Sequence, residues 1–151
     1  MSHSNENNQP TSDRLESLAV GTRHELTYQV AAFDSPRTLR LEDQDEFPDV
    51  LATAKMVGLM ELAAARLLRP LLQPGELSVG VQVNIEHLAP TPLFSEVRAC
   101  ATYQGKNGKL HLFEVELLDA GGVAGKGTHA RAIVQNQRLM EGAQRRLAGP
   151  K

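Results

Sequence analysis

One stretch constrains this chain more than any other: residues 53–69, Thr-Ala-Lys-Met-Val-Gly-Leu-Met-Glu-Leu-Ala-Ala-Ala-Arg-Leu-Leu-Arg. From position 56 to 65 every residue is apolar or small except Glu61. With Pro70 as its stop, the stretch predicts one long helix. A helix apolar all round is normally buried on most sides. A carboxylate in such a place must find a partner or be strongly perturbed. Glu61 therefore has two readings: a catalytic carboxylate, or a glutamate at a helix flank or subunit interface, paired with Arg66 or Arg69.

The flanking segments have the period of strands. Residues 22–33 set Leu26, Tyr28 and Val30 against Arg23, Glu25, Thr27 and Gln29. Asp34-Ser35-Pro36 ends that run. A short turn or helix is expected at 15–20, and a short extended piece at 37–41, where Leu39 and Leu41 alternate with Arg40. Residues 42–46 form an acidic loop, and Asp49 is placed to cap the helix. Beyond the turn at 73–75, residues 77–88 set Val79, Val81, Val83, Ile85 and His87 against Ser78, Gly80, Gln82, Asn84 and Glu86. Residues 94–104 put Val97, Ala99, Ala101 and Tyr103 on one side. Gly105-Lys106-Asn107-Gly108 reads as a hairpin turn. A strand over 109–119, a turn at 120–122, a strand over 123–135 and a short polar helix or tail complete the chain. Tight turns imply antiparallel pairing. An antiparallel sheet with one helix on its concave face is an α+β architecture, and a curled sheet around a central helix is the hot-dog arrangement.

The length, 151 residues, suits one domain, expected at 15–135. Residues 1–14 hold almost nothing to bury and read as a disordered tail; residues 136–151 are the C-terminal helix or tail. A net charge of −2 leaves no basic footprint for nucleic acid. With no tryptophan, the core must come from Leu, Val, Ala and Met. The single cysteine, Cys100, excludes an intrachain disulfide. No run reaches the ~18 apolar residues of a membrane span, and the polar first ten residues lack a secretory signal's pattern. The expectation is a soluble cytoplasmic protein without membrane or nucleic-acid partners.

Gly-x-Ser-x-Gly is absent, which leaves a nucleophile-elbow hydrolase without support. Residues 121–128 fail the phosphate-loop spacing. His24, His111 and His129 are scattered, with no metal-ligand spacing, and no metal or cofactor is expected. His87 is either a core histidine bonded to a carbonyl or a site residue. Thr53 is either a helix-terminus hydroxyl or a site residue.

Taken together, the segments 47–53 (Phe-Pro-Asp-Val-Leu-Ala-Thr) and 56–61, then 75–80 with His87 and Thr91-Pro92, then Gly127-Thr128-His129-x-Arg131, resemble the fluoroacetyl-CoA thioesterase family in consistent order over about residues 20–134. The resemblance implies the hot-dog fold and a homodimer with active sites at the subunit interface. It also implies an acyl-CoA substrate, with coenzyme A as part of the substrate and not a cofactor. It places the catalytic groups at Thr53, Glu61 and His87, and substrate-binding residues at Phe47, Gly80 and Arg131. Gln44, three residues before Phe47, replaces an aromatic of the family, and Lys55 replaces another. These departures imply a more polar or more open entrance.

The residue types suit thioester hydrolysis. The thiolate leaves readily, so the need is for a nucleophile and a cradle for the oxyanion. Glu61 is expected to act as nucleophile or as base toward water, helped by burial. Thr53 is expected to orient the reacting groups and His87 to move a proton or stabilise charge. Backbone N–H near Gly80 is expected to hold the thioester oxygen. Two other readings stand beside this one: a non-catalytic acyl-CoA-binding or regulatory hot-dog protein, and a hot-dog hydratase or dehydratase.

Overall fold

The computed structural model describes residues 18–149. The tail expected at 1–14 lies outside them, as do the last two residues and the first half, 15–17, of the expected turn at 15–20. The elements are β1 (Arg23–Gln29), α1 (Thr53–Leu68), β2 (Glu76–His87), β3 (Glu96–Asn107), β4 (Leu110–Asp119), β5 (Gly122–Gln135) and α2 (Asn136–Leu147). The strands form one antiparallel sheet in the order β1-β3-β4-β5-β2. Two-residue turns join β3 to β4 and β4 to β5, which is why these strands are neighbours.

α1 buries Met56, Leu59, Met60, Ala63, Ala64, Leu67 and Leu68. That three-four spacing is one face of a helix. It packs on Leu26, Val97, Ala99, Ala101, Tyr103, Phe113, Val115 and Leu117 from the sheet. Each large side chain taken from water there contributes roughly 1.5–3 kcal/mol. Small residues let the helix come close: a Cβ at Gly125 would meet the Met56 sulfur. The result is the α+β hot-dog architecture, with a central helix laid across one antiparallel sheet.

Burial of α1 on most sides is not what one protomer shows. Ala54, Gly58 and Leu62, four residues apart, form an exposed apolar stripe. Other expectations shift for local reasons. β1 ends at Gln29, and residues 32–34 and 36–39 are short 3-10 turns. The second replaces the extended piece expected at 37–41, because Pro36 fixes φ and the Ser35 hydroxyl accepts the Arg37 N–H. Asp49 does not cap α1. Ala52 holds the cap position without a side-chain bond, and the Asp49 carboxylate accepts from Ser35 Oγ at 3.0 Å and Arg37 Nη1 at 3.1 Å. β3 starts at Glu96, after Phe94 with its positive φ of 69°. Its ladder with β4 runs on to Asn107 opposite Leu110, so the turn is Gly108-Lys109 and not residues 105–108. Gly105, at φ 99°, sits where that ladder slips.

The correction with most consequence is in β2. Gly80 lies opposite Arg131 and Gln82 opposite Ala130, leaving Val81 as a bulge. One extra residue inverts the alternation. Gly80 faces the helix before the bulge; Ile85 and His87 face it afterwards. Strict alternation had put them on opposite faces. Leu77, Val81 and Val83 are left exposed.

The leader into α1 is tied down at two points. Ala52 N–H donates to the Asp34 carbonyl and Leu51 N–H to the Thr91 carbonyl, each at 2.8 Å. Asp34 is itself buried, its carboxylate accepting from Tyr28 Oη at 2.6 Å and Ala31 N at 2.7 Å, with Lys55 Nζ at 3.5 Å.

β5 and β2 approach closely at Gly127, where a Cβ would meet the Asn84 carbonyl and the Ile85 Cα. Both are backbone atoms held in the ladder. Gly127→Ala should therefore lower stability by about 1–3 kcal/mol, measured as a reduced urea midpoint.

Candidate active site

Thr53 is the first residue of α1 and His87 the last of β2. The bulge turns His87 toward the helix, and Thr53 Oγ1 lies 2.7 Å from its Nδ1. His87 Nε2 is buried and has no hydrogen-bond partner. Such an orphan costs about 1–3 kcal/mol unless something occupies it. Beside the pair opens a cavity of about 540 Å³, lined by Leu39, Phe47, Val50, Leu88 and Pro90 together with Thr53 and His87. Its walls are chiefly apolar, as a small-molecule site requires.

Glu61 belongs to a second cluster. It lies eight residues further along α1, about 12 Å by helix rise. Its carboxylate occupies the space a Cβ at Gly80 would fill. Glu61 Oε1 is 3.8 Å from both Arg131 Nη1 and His129 Nε2. Arg131, on β5 opposite Gly80, donates through Nε to Ser78 Oγ at 3.1 Å and through Nη2 to the Ser78 carbonyl at 2.9 Å.

The partners of His129 decide its state. Nδ1 lies 2.8 Å from the Gln82 carbonyl, which can only accept, so Nδ1 carries a proton. Nε2 lies 3.2 Å from Arg131 Nη1, which can only donate, so Nε2 carries a lone pair. Burial lowers the pKa of His129 below the ordinary histidine value; the Arg131 charge adds to that, while the Gln82 carbonyl and Glu61 oppose it. The ring is neutral, and its approach to Glu61 is not an ion pair. The charge facing Glu61 is the guanidinium of Arg131.

The six residues singled out by sequence thus fall into two groups within one protomer. Thr53, His87 and Phe47 share the cavity; Glu61, Gly80 and Arg131 share the second cluster. Glu61 does not pair with Arg66 or Arg69, and its side chain is 37% exposed, not buried. Lys55 turns away from the cavity to Asp34, with Nζ 4.8 Å from the centre of the Tyr28 ring, so its replacement of an aromatic brings no charge to the cavity wall. Gln44 is exposed in the loop before Phe47. His129 and Ser78 were not among the expected site residues. His129 could have been found by the two-residue period of a strand, which puts it on the same face as Arg131.

A second cleft of about 550 Å³ lies elsewhere on the sheet, between Arg23, Cys100, Glu114 and Lys126. It holds none of the six residues. Its wall is a lattice of opposed charges in which Arg23 meets Glu25 at 3.5 Å and Glu116 at 3.6 Å. Among the described residues, no three His, Cys, Asp or Glu side chains cluster to hold a metal ion, and no helix is long and apolar enough to cross a membrane.

Residues 34–137 match the family described as fluoroacetyl-CoA-specific thioesterase. The fluoroacetyl-CoA thioesterase of Streptantibioticus cattleyicolor is 35% identical over 124 residues, 81% of this chain and 89% of that protein. A crystal structure of a fluoroacetyl-CoA thioesterase superposes with a TM-score of 0.80 at 34% identity, covering 89% of this chain and 100% of the other. A thioesterase superfamily member from Thermus thermophilus gives a TM-score of 0.76 at 27% identity, over 88% of this chain and 95% of its own. A hot-dog-like protein from Thermanaerovibrio acidaminovorans shares the fold, with a TM-score of 0.79 at 24% identity, over 92% of this chain and 100% of its own.

Two measurements test this geometry. The atom that a Cβ at Gly80 would displace is the mobile end of Glu61, not backbone. Gly80→Ala should leave the unfolding midpoint nearly unchanged, because the Glu61 carboxylate can swing aside, yet lower thioester hydrolysis by about 100-fold, the effect of a ~1 Å displacement within a candidate site. The second concerns acid stability. Burial lowers the pKa of both His111 and His129 in the folded state. The unfolded chain therefore binds more protons just below the ordinary histidine value of about 6.5. Stability should be fully present above that pH and fall as the pH drops through it, seen as a falling urea midpoint. In the His129→Gln variant this fall should be shallower.

Proposed function

The chain belongs to the fluoroacetyl-CoA-specific thioesterase family, and on that premise we propose that it hydrolyses a small or medium acyl-CoA thioester to the free acid and coenzyme A, with Thr53, Glu61 and His87 as catalytic groups and Phe47, Gly80 and Arg131 binding substrate. The observation that carries the reading is the Thr53–His87 pair, with its unpartnered imidazole nitrogen, at the wall of an apolar cavity.

The acyl group lies in the cavity against Phe47 and Leu88. The thioester oxygen lies at the start of α1 and not near Gly80 as expected, because the Glu61 carboxylate fills the open side of Gly80, whereas Ala52 offers no side chain to satisfy the first N–H groups of the helix. Those groups and the helix dipole favour the negative charge of a tetrahedral intermediate. Glu61 either attacks the carbonyl carbon, expelling the thiolate and leaving an acyl-glutamyl anhydride that water then cleaves, or takes a proton from a water that attacks the carbonyl carbon itself. As the C–S bond breaks, His87 gives a proton to the departing thiolate and recovers one from the water consumed, through Glu61 in the second route. Arg131 stabilises the Glu61 carboxylate. Gly80 leaves room for that carboxylate, as no other residue would.

Such a reaction needs Glu61 near Thr53 and His87, and one protomer keeps them about 12 Å apart along the helix. A homodimer resolves this. β2 is an edge of the sheet and carries exposed Leu77, Val81 and Val83. α1 leaves Ala54, Gly58 and Leu62 uncovered. A two-fold axis pairing β2 with its copy antiparallel covers these apolar groups. It also carries the His87 end of one strand toward the Gly80 end of the other. Each site then combines Thr53 and His87 of one protomer with Glu61, Gly80 and Arg131 of the partner subunit.

Mixing two inactive variants tests both the residues and the dimer. Glu61→Gln and His87→Ala should each lower kcat by at least about 100-fold. Unfolded and refolded together, they form mixed dimers in which one of two sites keeps every wild-type group. Activity should return to roughly a quarter of wild type, because half the dimers are mixed and each has one intact site. No recovery in a mixture of proven dimers would show that each site is built from one chain.

A further inference from the structure

We infer that α2 of each protomer lies across the mouth of its partner's substrate cavity, so that the lid of each site is supplied by the other chain. This rests on the homodimer proposed above and goes beyond it.

α2 has no buried residue. Leu139, Met140, Ala143 and Leu147 form one apolar stripe along it, with Leu147 77% exposed. A 12-residue helix is marginal alone in water and needs a packed face. Among the described residues, nothing in its own chain supplies one. The cavity mouth has the matching defect: Leu39, Phe47 and Leu88 are exposed at its wall, and Leu41 beside it is 96% exposed.

Chain geometry excludes the pairing within one protomer. Asn136 N–H donates to the Gly75 carbonyl at 3.0 Å, which roots α2 at the Glu76 end of β2. The cavity lies at the His87 end. Eleven residue steps of strand put these ends about 37 Å apart, whereas α2 is only about 18 Å long. Antiparallel pairing about the middle of β2 reverses this. It sets Glu76 opposite the partner's His87, one strand spacing of about 4.8 Å away.

Charge identifies the occupant as a second copy of this chain. α2 carries Arg138, Arg145 and Arg146 against one acid, Glu141. The loop that leads into Phe47 carries Glu42, Asp43, Asp45 and Glu46. Arg40 reaches only Asp43, at 3.4 Å, and Asp45 caps the Leu41 and Glu42 N–H groups. This acidic loop would repel the phosphates of an incoming coenzyme A. Three arginines laid beside it remove that repulsion while the apolar stripe covers Leu39, Leu41 and Phe47. The lid thereby dries the acyl cavity and favours the coenzyme A end of the substrate.

Cross-linking tests the placement, since the native cysteine is buried. Leu41→Cys and Met140→Cys are made in separate chains, and dimers are formed from each alone and from the mixture. A bismaleimide, which bridges a wider gap than a disulfide, should give a covalent dimer in the mixture and little in either alone. No cross-link in a mixture whose solution mass is that of a dimer overturns the lid and leaves the dimer standing. A monomer mass overturns both. A chain carrying both cysteines that cross-links internally and runs as a monomer also overturns the lid. Kinetics give a second readout: replacing Arg138, Arg145 and Arg146 by glutamate should raise KM for the acyl-CoA roughly tenfold with kcat little changed. An unchanged KM overturns the proposed effect on substrate.

Discussion

The seat of α1 on the sheet is the contact on which the rest depends. Seven helix residues meet a sheet face that mixes large side chains with alanines and valines, and the helix comes in close where Gly125 leaves room for Met56 and Gly80 for Glu61. That seat presents Thr53 at one end of the helix and Glu61 in its middle, each against β2. The buried Asp34, which ties the leader of α1 to Tyr28 and Lys55, secures the helix start. A change there would be felt at Thr53 without touching it.

β2 shows how one residue redirects a site. Without the bulge at Val81, Gly80 and His87 would face opposite sides of the sheet. With it, both face α1, one against Glu61 and the other against Thr53. The same strand is an open edge with exposed valines and a leucine. Edge strands of this kind are normally blunted or paired, and here the exposed apolar groups lie on the same twelve-residue strand as Gly80 and His87.

The Glu61 cluster is organised by donors and acceptors more than by charge pairing. His129 is held neutral between a carbonyl that fixes its proton and a guanidinium that fixes its lone pair. Arg131 spends its other donors on Ser78 and keeps one edge toward Glu61.

The helix, the five main strands, most inward-facing residues and the chain order of the six candidate residues were legible in the sequence, because each depends on local periodicity, proline and glycine. Residues 136–151 read as a short polar helix or tail, and the structure makes Asn136–Leu147 a helix. What failed were features set by partners distant in the chain. Asp49 has the chemistry of a cap but is drawn to Ser35 and Arg37. The 37–41 segment alternates, yet has no sheet neighbour to make it a strand. Glu61 sits in an apolar run, yet half its helix is uncovered in one protomer. The sequence by itself determined that one apolar helix packs with an antiparallel sheet, since the helical and strand periods and the tight turns that pair neighbouring strands are all local. Only the tertiary structure decided which strand residues face that helix, because a bulge is defined by the register between two strands and leaves no mark in either one alone.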